Sequence, residues 1–260
     1  MIKLNKIYNE NCIDTMARMP DNFIDLTVTS PPYDNLRDYK GYSFDFESIA
    51  KELYRVTKEG GVVVWVVGDA TINGSETGTS FRQALYFKEI GFNLHDTMIY
   101  QTDKPPMNDR RYQSSFEYMF VFSKGKPTAF NKIKTKTKGY GGGTYRKADG
   151  SMKDRFHNNK VSNDFVLINI WKYSTGIYQT TKDIDAFAHP AMFPEQLAAD
   201  HIYSWSNEGD LVYDCFGGSG TTAKMAHLLK RNWIASEISK EYCEIAEKRL
   251  DPYLRQTALF

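Results

Sequence analysis

A glycine-rich loop near the end of the chain constrains its fold more than any other feature. Asp214-Cys215-Phe216-Gly217-Gly218-Ser219-Gly220-Thr221-Thr222-Ala223 follows a short apolar strand pattern, Leu211 to Tyr213, and opens a helical one from Thr221 to Leu229. Asn232 to Ser236 then reads as a strand and Lys240 to Leu250 as a helix. Gly218-x-Gly220-x-x-Ala223 fits a dinucleotide-type turn, and Glu237 follows about twenty residues on, where a carboxylate can grip ribose hydroxyls. A phosphate-gripping P-loop is excluded, because Thr221 and not lysine follows Gly220. The loop closes at residue 220 of 260, which leaves room for two strand-helix units and not for a six-stranded sheet. The other strands must come from earlier in the chain. The expected fold is α/β: a doubly wound, mostly parallel sheet, circularly permuted so that the glycine-loop strand is added late.

The earlier sequence supplies those strands. Phe23 to Thr29 reads as a buried strand stopped by Pro31 and Pro32. Phe46 to Val56 has helical spacing and ends before Gly60-Gly61, and the apolar run Val62 to Val67 follows as a strand. Phe81 to Ile90 repeats the helix pattern, while Asp96 to Gln101 and Glu117 to Ser123 read as strands. With 41% hydrophobic and 25% charged residues, the composition suits one such domain carrying an insertion. Residues 126–163 are the candidate insertion, since no helical or strand period lasts there. Regular structure resumes at Asp164 to Trp171, followed by an amphipathic helix from Pro194 to Ser204.

Charge singles out the same stretch. Ten lysines and arginines stand between Lys126 and Lys160 against Asp149 and Asp154, a balance of +8 in a chain of net charge +1, so the remainder sums to −7. Such asymmetry marks one face for an anionic partner, or else a solvated loop. The longest apolar run, Val62 to Val67, is too short to cross a bilayer, and the chain start lacks a basic-then-apolar leader, so a soluble, cytoplasmic protein without membrane contact is expected. Cys12, Cys215 and Cys243 are too scattered for a disulfide framework or a metal site; reduced thiols and no metal are expected.

Two loops carry the chemistry. Adenosine recognition by Glu237 serves a nicotinamide cofactor and S-adenosylmethionine alike, but a carboxylate at Asp214, ahead of the glycines, suits an ammonium group and repels a pyrophosphate. Thr29-Ser30-Pro31-Pro32-Tyr33 is the more specific signal. The exocyclic amine of a nucleobase is a poor nucleophile, because its lone pair is conjugated with the ring. Two fixed acceptors, the Ser30 hydroxyl and the Pro31 carbonyl, can draw its protons out of plane and aim the lone pair at a methyl donor. Pro31 and Pro32 make that carbonyl rigid, and Tyr33 offers an aromatic face to an extruded base.

With both loops in place, nearly the whole chain resembles the beta-class, permuted amino-methyltransferases of DNA, which act on cytosine N4 or adenine N6. Thr29 to Tyr33 matches their catalytic motif, and Asp214 to Thr222 matches a cofactor motif usually written Asp-Pro-Phe-x-Gly-Ser-Gly-Thr-Thr. His189-Pro190-Ala191-Met192-Phe193-Pro194 looks like the motif just upstream, which encloses the methionine end of the cofactor. The resemblance implies a Rossmann-like S-adenosylmethionine-dependent fold: residues 1–125 as the catalytic part, 126–163 as a short target-recognition insertion and 164–260 as the cofactor-binding part.

Carried over residue by residue, it implies that Ser30, Pro31, Pro32 and Tyr33 hold the target base. Asp214, Phe216, Gly218, Ser219, Gly220 and Thr221, with Pro190 and Phe193, line the methionine part, and Glu237 holds the ribose. Cys12 stands where the family often has an acidic residue against the adenine ring, and Cys215 replaces the usual proline. Double-stranded DNA is the implied partner, met by Arg37, Lys132, Lys134, Lys136, Lys138, Arg146 and Lys147. A cognate restriction endonuclease and a second copy of the chain are further partners compatible with the family. Serine at the first motif position goes more often with cytosine N4, so cytosine is favoured over adenine. Two rivals are methylation of RNA, a metabolite or a protein amide, which would have little use for the basic insertion, and an inert DNA-binding module, which would not need a complete catalytic loop.

Overall fold

The computed structural model describes residues 2–32, 44–103, 111–136, 144–154, 164–176, 179–183 and 194–257. Tyr33, Arg37, Lys138, Pro190 and Phe193 lie outside the described residues. The first half of the chain forms β1 (Lys6–Tyr8), α1 (Cys12–Ala17), β2 (Ile24–Thr29), α2 (Phe46–Val56), β3 (Thr57–Val67), the hairpin β4 (Thr71–Ile72) and β5 (Ser75–Glu76), α3 (Thr79–Glu89), β6 (Asn93–Thr102) and β7 (Phe116–Ser123). The second half forms β8 (Lys134–Lys136), β9 (Thr144–Arg146), β10 (Met152–Asp154), β11 (Asp164–Val166), β12 (Ile170–Tyr173), α4 (Glu195–Trp205), β13 (Leu211–Asp214), α5 (Thr221–Leu228), β14 (Asn232–Ser236) and α6 (Lys240–Thr257).

Eight strands make one sheet in the order β1-β14-β13-β2-β3-β7-β6-β12. The pairs from β1 through β3 are all parallel, β7 is antiparallel to both its neighbours, and β12 returns parallel to β6. The expected doubly wound, mostly parallel and permuted sheet is present, with the last strand, β14, seated between the first strand and β13. Helix α2 packs on α1 and α3, while α5 packs on α4 and α6. From β2 the chain crosses to β3 on one side; from β13 it crosses to β14 on the other. The adjacent strands β13 and β2 therefore flank a topological switch point, where loops leaving the carboxyl ends diverge and open a crevice.

Local sequence explains these elements. Asp45 caps α2 by accepting from the Ser48 amide (3.2 Å), and Ile49, Ala50, Leu53 and Val56 face the sheet. Residues 62–67 of β3 are apolar without alternation because the strand is central and covered on both faces. Trp65 is fully buried against Phe46, Phe87 and Phe216, and its Nε1–H donates to Gln83 Oε1 (2.8 Å). Asp69 accepts from the Ser80 amide (2.8 Å), which places it at the start of α3 as an anchor. Helix α6 runs on past Pro252, beyond the Leu250 end that the sequence suggests. Tyr253 holds the extra turn, its hydroxyl donating to Asp183 (3.1 Å) and its ring lying under Lys224 Nζ (4.7 Å).

The chain divides into a larger unit, Met1–Asn131 with Asn169–Phe260, and a smaller one, Lys132–Ile168. Residues 126–131 belong to the larger unit and not to the insertion as expected. The Thr128 amide donates to Gly60 O (3.0 Å), the Asn131 amide to Ser204 O (2.8 Å), and Phe130 stacks on Trp205. At its other end the smaller unit reaches past residue 163, because β11 pairs antiparallel with β8, Phe165 opposite Thr135. It also contains the hairpin β9–β10, closed by a turn in which Asp149 accepts from the Ser151 amide (2.9 Å). Strands of three residues are too short to leave a period in the sequence. No helix among the described residues is long and apolar enough to cross a membrane. All three cysteines are buried and unbonded.

One core residue predicts an acid response. His201, on α4, is fully buried, with its ring 4.8 Å from that of Trp171 and Nε2 3.2 Å from the Met119 sulfur. A thioether only accepts, so Nε2 carries the proton. Burial lowers the imidazole pKa from 6.5 to about 3. Between those values the unfolded chain binds the extra proton, so stability is lost as pH falls below 6.5. From pH 7 to 5 this single group should cost about 2 kcal/mol. Urea unfolding of the wild type and of His201→Leu should diverge by that amount over the interval. Parallel pH profiles would count against an imidazole buried in its neutral form.

Candidate active site

Two loops leave the sheet side by side at the switch point. β2 ends at Thr29 and delivers Ser30, half-buried, and Pro31, buried. Its neighbour β13 ends at Asp214 and delivers the glycine loop. Asp214 lies within the molecule at 2% exposure and joins the two: its Oδ1 accepts from the Thr29 hydroxyl (2.6 Å) and from the Phe216 amide (3.0 Å). Burial raises the Asp214 pKa, opposed by these hydrogen bonds, which favour the anion. The Thr222 hydroxyl adds a second tie between the loops, donating to Val28 O (3.2 Å).

The loop's glycines are needed for shape. Gly220 opens α5 at φ 79°, and a Cβ there would stand 3.0 Å from that of Ala246 on α6, so the two helices could not approach as they do. Gly218 also has positive φ, 49°. Its amide donates to Glu237 Oε2 (2.9 Å), while the Ser239 amide donates to Glu237 Oε1 (2.8 Å). Glu237 is thus aimed from the end of β14 at the glycine loop by two backbone donors, and each oxygen keeps a lone pair for a further one. Burial raises its pKa against those same hydrogen bonds.

Cys12 stands at the start of α1, and the Glu237 carboxylate helps to keep its thiol neutral. The turn before it is pinned to the Glu237 turn by the Asn9 side chain, which donates to Glu237 O and Ile238 O (both 3.0 Å). Burial pushes the Cys12 thiol up to about 12 and the buried Cys215 thiol well above its ordinary value, so neither is a thiolate nucleophile at neutral pH. Phe216 is half-buried with Phe44 and Trp65 against its ring; Ser219 and Thr221 are almost fully buried. Among the expected site residues that are described, Ser30, Pro31, Pro32, Cys12, the glycine-loop residues and Glu237 all lie at the carboxyl edge of the same five parallel strands. In the smaller unit, Lys132, Lys134, Arg146 and Lys147 are exposed and Lys136 lies on β8.

Sequence reasoning missed Thr29 and an ionic cluster behind the glycine loop, formed by Asp183, Glu195, Lys224 and Arg249. A signal for the cluster did exist. Arg249 falls on the apolar face of α6, between Ala246 and Leu250, where a lone surface cation has no place.

Comparison with known proteins agrees with this arrangement. A family model described as DNA methylase, covering N6 and N4 methyltransferases, matches residues 24–248. An orphan methyltransferase, M.BamHII of Bacillus amyloliquefaciens, is 62% identical over 242 residues, 90% of this chain and 91% of that protein. Two solved structures, each 22% identical, share the fold. One is the PvuII cytosine-N4-specific DNA methyltransferase, with TM-score 0.70 over 96% of this chain and 91% of its own. The other is a Thermus thermophilus protein solved with S-adenosyl-L-methionine, with TM-score 0.66 over 95% of this chain and 93% of its own. From its two motif loops to the order of its strands, the chain belongs to the DNA methylase family of N6 and N4 methyltransferases.

Proposed function

We propose that the chain is a site-specific methyltransferase that uses S-adenosyl-L-methionine to methylate the exocyclic amine of a base extruded from double-stranded DNA, with cytosine N4 as its target. The observation that carries this reading is the adjacency of the Ser30-Pro31-Pro32 corner and the glycine loop across β2 and β13, tied by the Thr29–Asp214 hydrogen bond. The residues suit the cofactor: Glu237 is a pre-aimed acceptor for ribose hydroxyls, and the glycines keep the loop open to close approach. When bound, S-adenosyl-L-methionine supplies an electrophilic methyl on a sulfonium sulfur. The Ser30 hydroxyl and the Pro31 carbonyl accept hydrogen bonds from the two amine N–H groups and turn the lone pair out of the ring plane. Exposed cations of the smaller unit, Lys132, Lys134, Arg146 and Lys147, suit DNA phosphates.

Cytosine rests on the serine at the first motif position; adenine N6 would be served by the same two acceptors. Mass analysis of nucleosides from unmodified DNA incubated with the protein and cofactor should show N4-methylcytosine. N6-methyladenine would move the target to adenine, and unmethylated DNA would remove the function. Glu237→Gln loses the charge and turns an NH2 group toward one of the two backbone donors, Gly218 N or Ser239 N, so cofactor affinity should fall about 10- to 100-fold or more, as for loss of a charged hydrogen bond. Titration calorimetry with S-adenosylhomocysteine reads this directly, and an unaltered affinity would release Glu237 from the ribose role.

A further inference from the structure

Behind the glycine loop, Arg249 is completely buried and uses every donor it has. Its Nη1 group donates to Ser219 O (3.0 Å), Ser219 Oγ (3.2 Å) and Thr221 Oγ1 (3.0 Å), reaching both loop backbone and loop side chains. Its Nε donates to Asp183 Oδ2 (2.7 Å), and Nη2 donates to Thr181 Oγ1 (3.3 Å) and to Glu195. Lys224 Nζ completes the cluster, 2.7 Å from both Asp183 and Glu195, so that two cations balance two carboxylates. Asp183 and Glu195 flank residues 184–193 in the chain, the stretch in which the resemblance places Pro190 and Phe193. Burial pushes both carboxyls up, but Lys224 and Arg249, with the Thr181 hydroxyl on Glu195, hold them below their ordinary pKa, so the cluster stays charged through the neutral range.

We propose that Arg249 is a positioning residue for cofactor binding: its guanidinium fixes the Ser219–Thr221 turn against Asp183 and Glu195, so that the loop is pre-shaped before the cofactor arrives. This rests on the reading of the glycine loop as the S-adenosyl-L-methionine site. A buried ionic network contributes little to net stability compared with apolar packing, and its best-attested use is to fix one geometry among several. The planar five-donor fork is what this geometry requires. Lysine, with three donors on one nitrogen, cannot span the loop and both carboxylates.

Arg231 offers a matched control. It too is buried and pins backbone, donating from Nη2 to Ser206 O (2.6 Å) and from Nη1 to Leu229 O (2.6 Å), but it sits at the amino-terminal end of β14, across the sheet from the glycine loop. Arg249→Lys and Arg231→Lys are compared by thermal unfolding, by calorimetry with S-adenosyl-L-methionine and by methyl transfer to unmodified bacterial DNA. Arg249→Lys should raise Kd and KM for the cofactor at least about 10-fold, with kcat at saturating cofactor within about threefold of wild type. Arg231→Lys should lose comparable thermal stability with Kd within about threefold. Equal cofactor affinities in the two variants would overturn the proposal, because the effect would then be one of stability alone. Should Arg249→Lys fail to fold, Asp183→Asn, which loosens the same guanidinium through Nε, should raise Kd at least about threefold, and an unchanged value overturns the proposal equally. A wild-type protein that does not bind S-adenosyl-L-methionine would instead remove the underlying reading of the loop, and the proposal with it.

Discussion

Ser30→Ala is expected to lower turnover by roughly 10²–10³-fold, as removal of one pre-set transition-state hydrogen bond does, while leaving cofactor affinity within about threefold. The asymmetry follows from where the residue sits. Ser30 follows the last residue of β2, and each of its neighbours has a restraint of its own. Thr29 is held by Asp214, and Pro31 and Pro32 restrict their own backbone. The substitution therefore removes the acceptor while those restraints on Thr29, Pro31 and Pro32 remain. On the proposed reading the Pro31 carbonyl would still accept a hydrogen bond from one amine N–H and leave a residual rate above background. Single-turnover methyl transfer with saturating cofactor measures the chemical step, and calorimetry measures the affinity. A rate unchanged within error would take the acceptor role away from Ser30. A parallel loss of cofactor affinity would instead show that the hydroxyl holds the two loops together.

What was legible in the sequence follows from how each feature is encoded. The strand-stop at Pro31-Pro32 and the positive-φ glycines are local demands on the backbone, so the two loops could be read from a few consecutive residues. The permuted order could be read from the Ser-Pro-Pro-Tyr corner lying ahead of the glycine loop in the chain. Helix α2 was readable to its ends because its buried residues recur at helical spacing and Asp45 caps it. β1 was not, since three residues at a sheet edge are specified by pairing with β14, a partner more than two hundred residues away in the chain. The same holds for the ladders of the smaller unit. Thr29–Asp214 and the Arg249 cluster were invisible for a related reason: each is a pairing of ordinary residue types whose meaning appears only when distant elements meet.

Asp214 separates two roles that the sequence could not. A carboxylate ahead of the glycines can attract the ammonium of an amino-acid cofactor, or it can serve as the acceptor that ties β2 to the glycine loop. The observed side chain is nearly inaccessible, with one oxygen shared between the Thr29 hydroxyl and the Phe216 amide. Alanine would leave both donors buried without an acceptor, at roughly 1–3 kcal/mol for each. It would also remove the hydrogen bond through which Asp214 ties the serine corner to the loop, so Asp214→Ala should lose stability, cofactor affinity by at least about 100-fold, and turnover together. Asparagine keeps a carbonyl oxygen where both donors need one, deletes the charge and puts an NH2 group in place of the second oxygen. If bridging is the main role, Asp214→Asn should unfold within about 1 kcal/mol of wild type and bind cofactor at most about 10-fold more weakly. If charge is the main role, the asparagine protein should stay as stable as wild type yet bind cofactor as poorly as the alanine one. Denaturant unfolding and calorimetry on the two variants decide between these outcomes, and the shared oxygen and deep burial of the carboxylate favour the first.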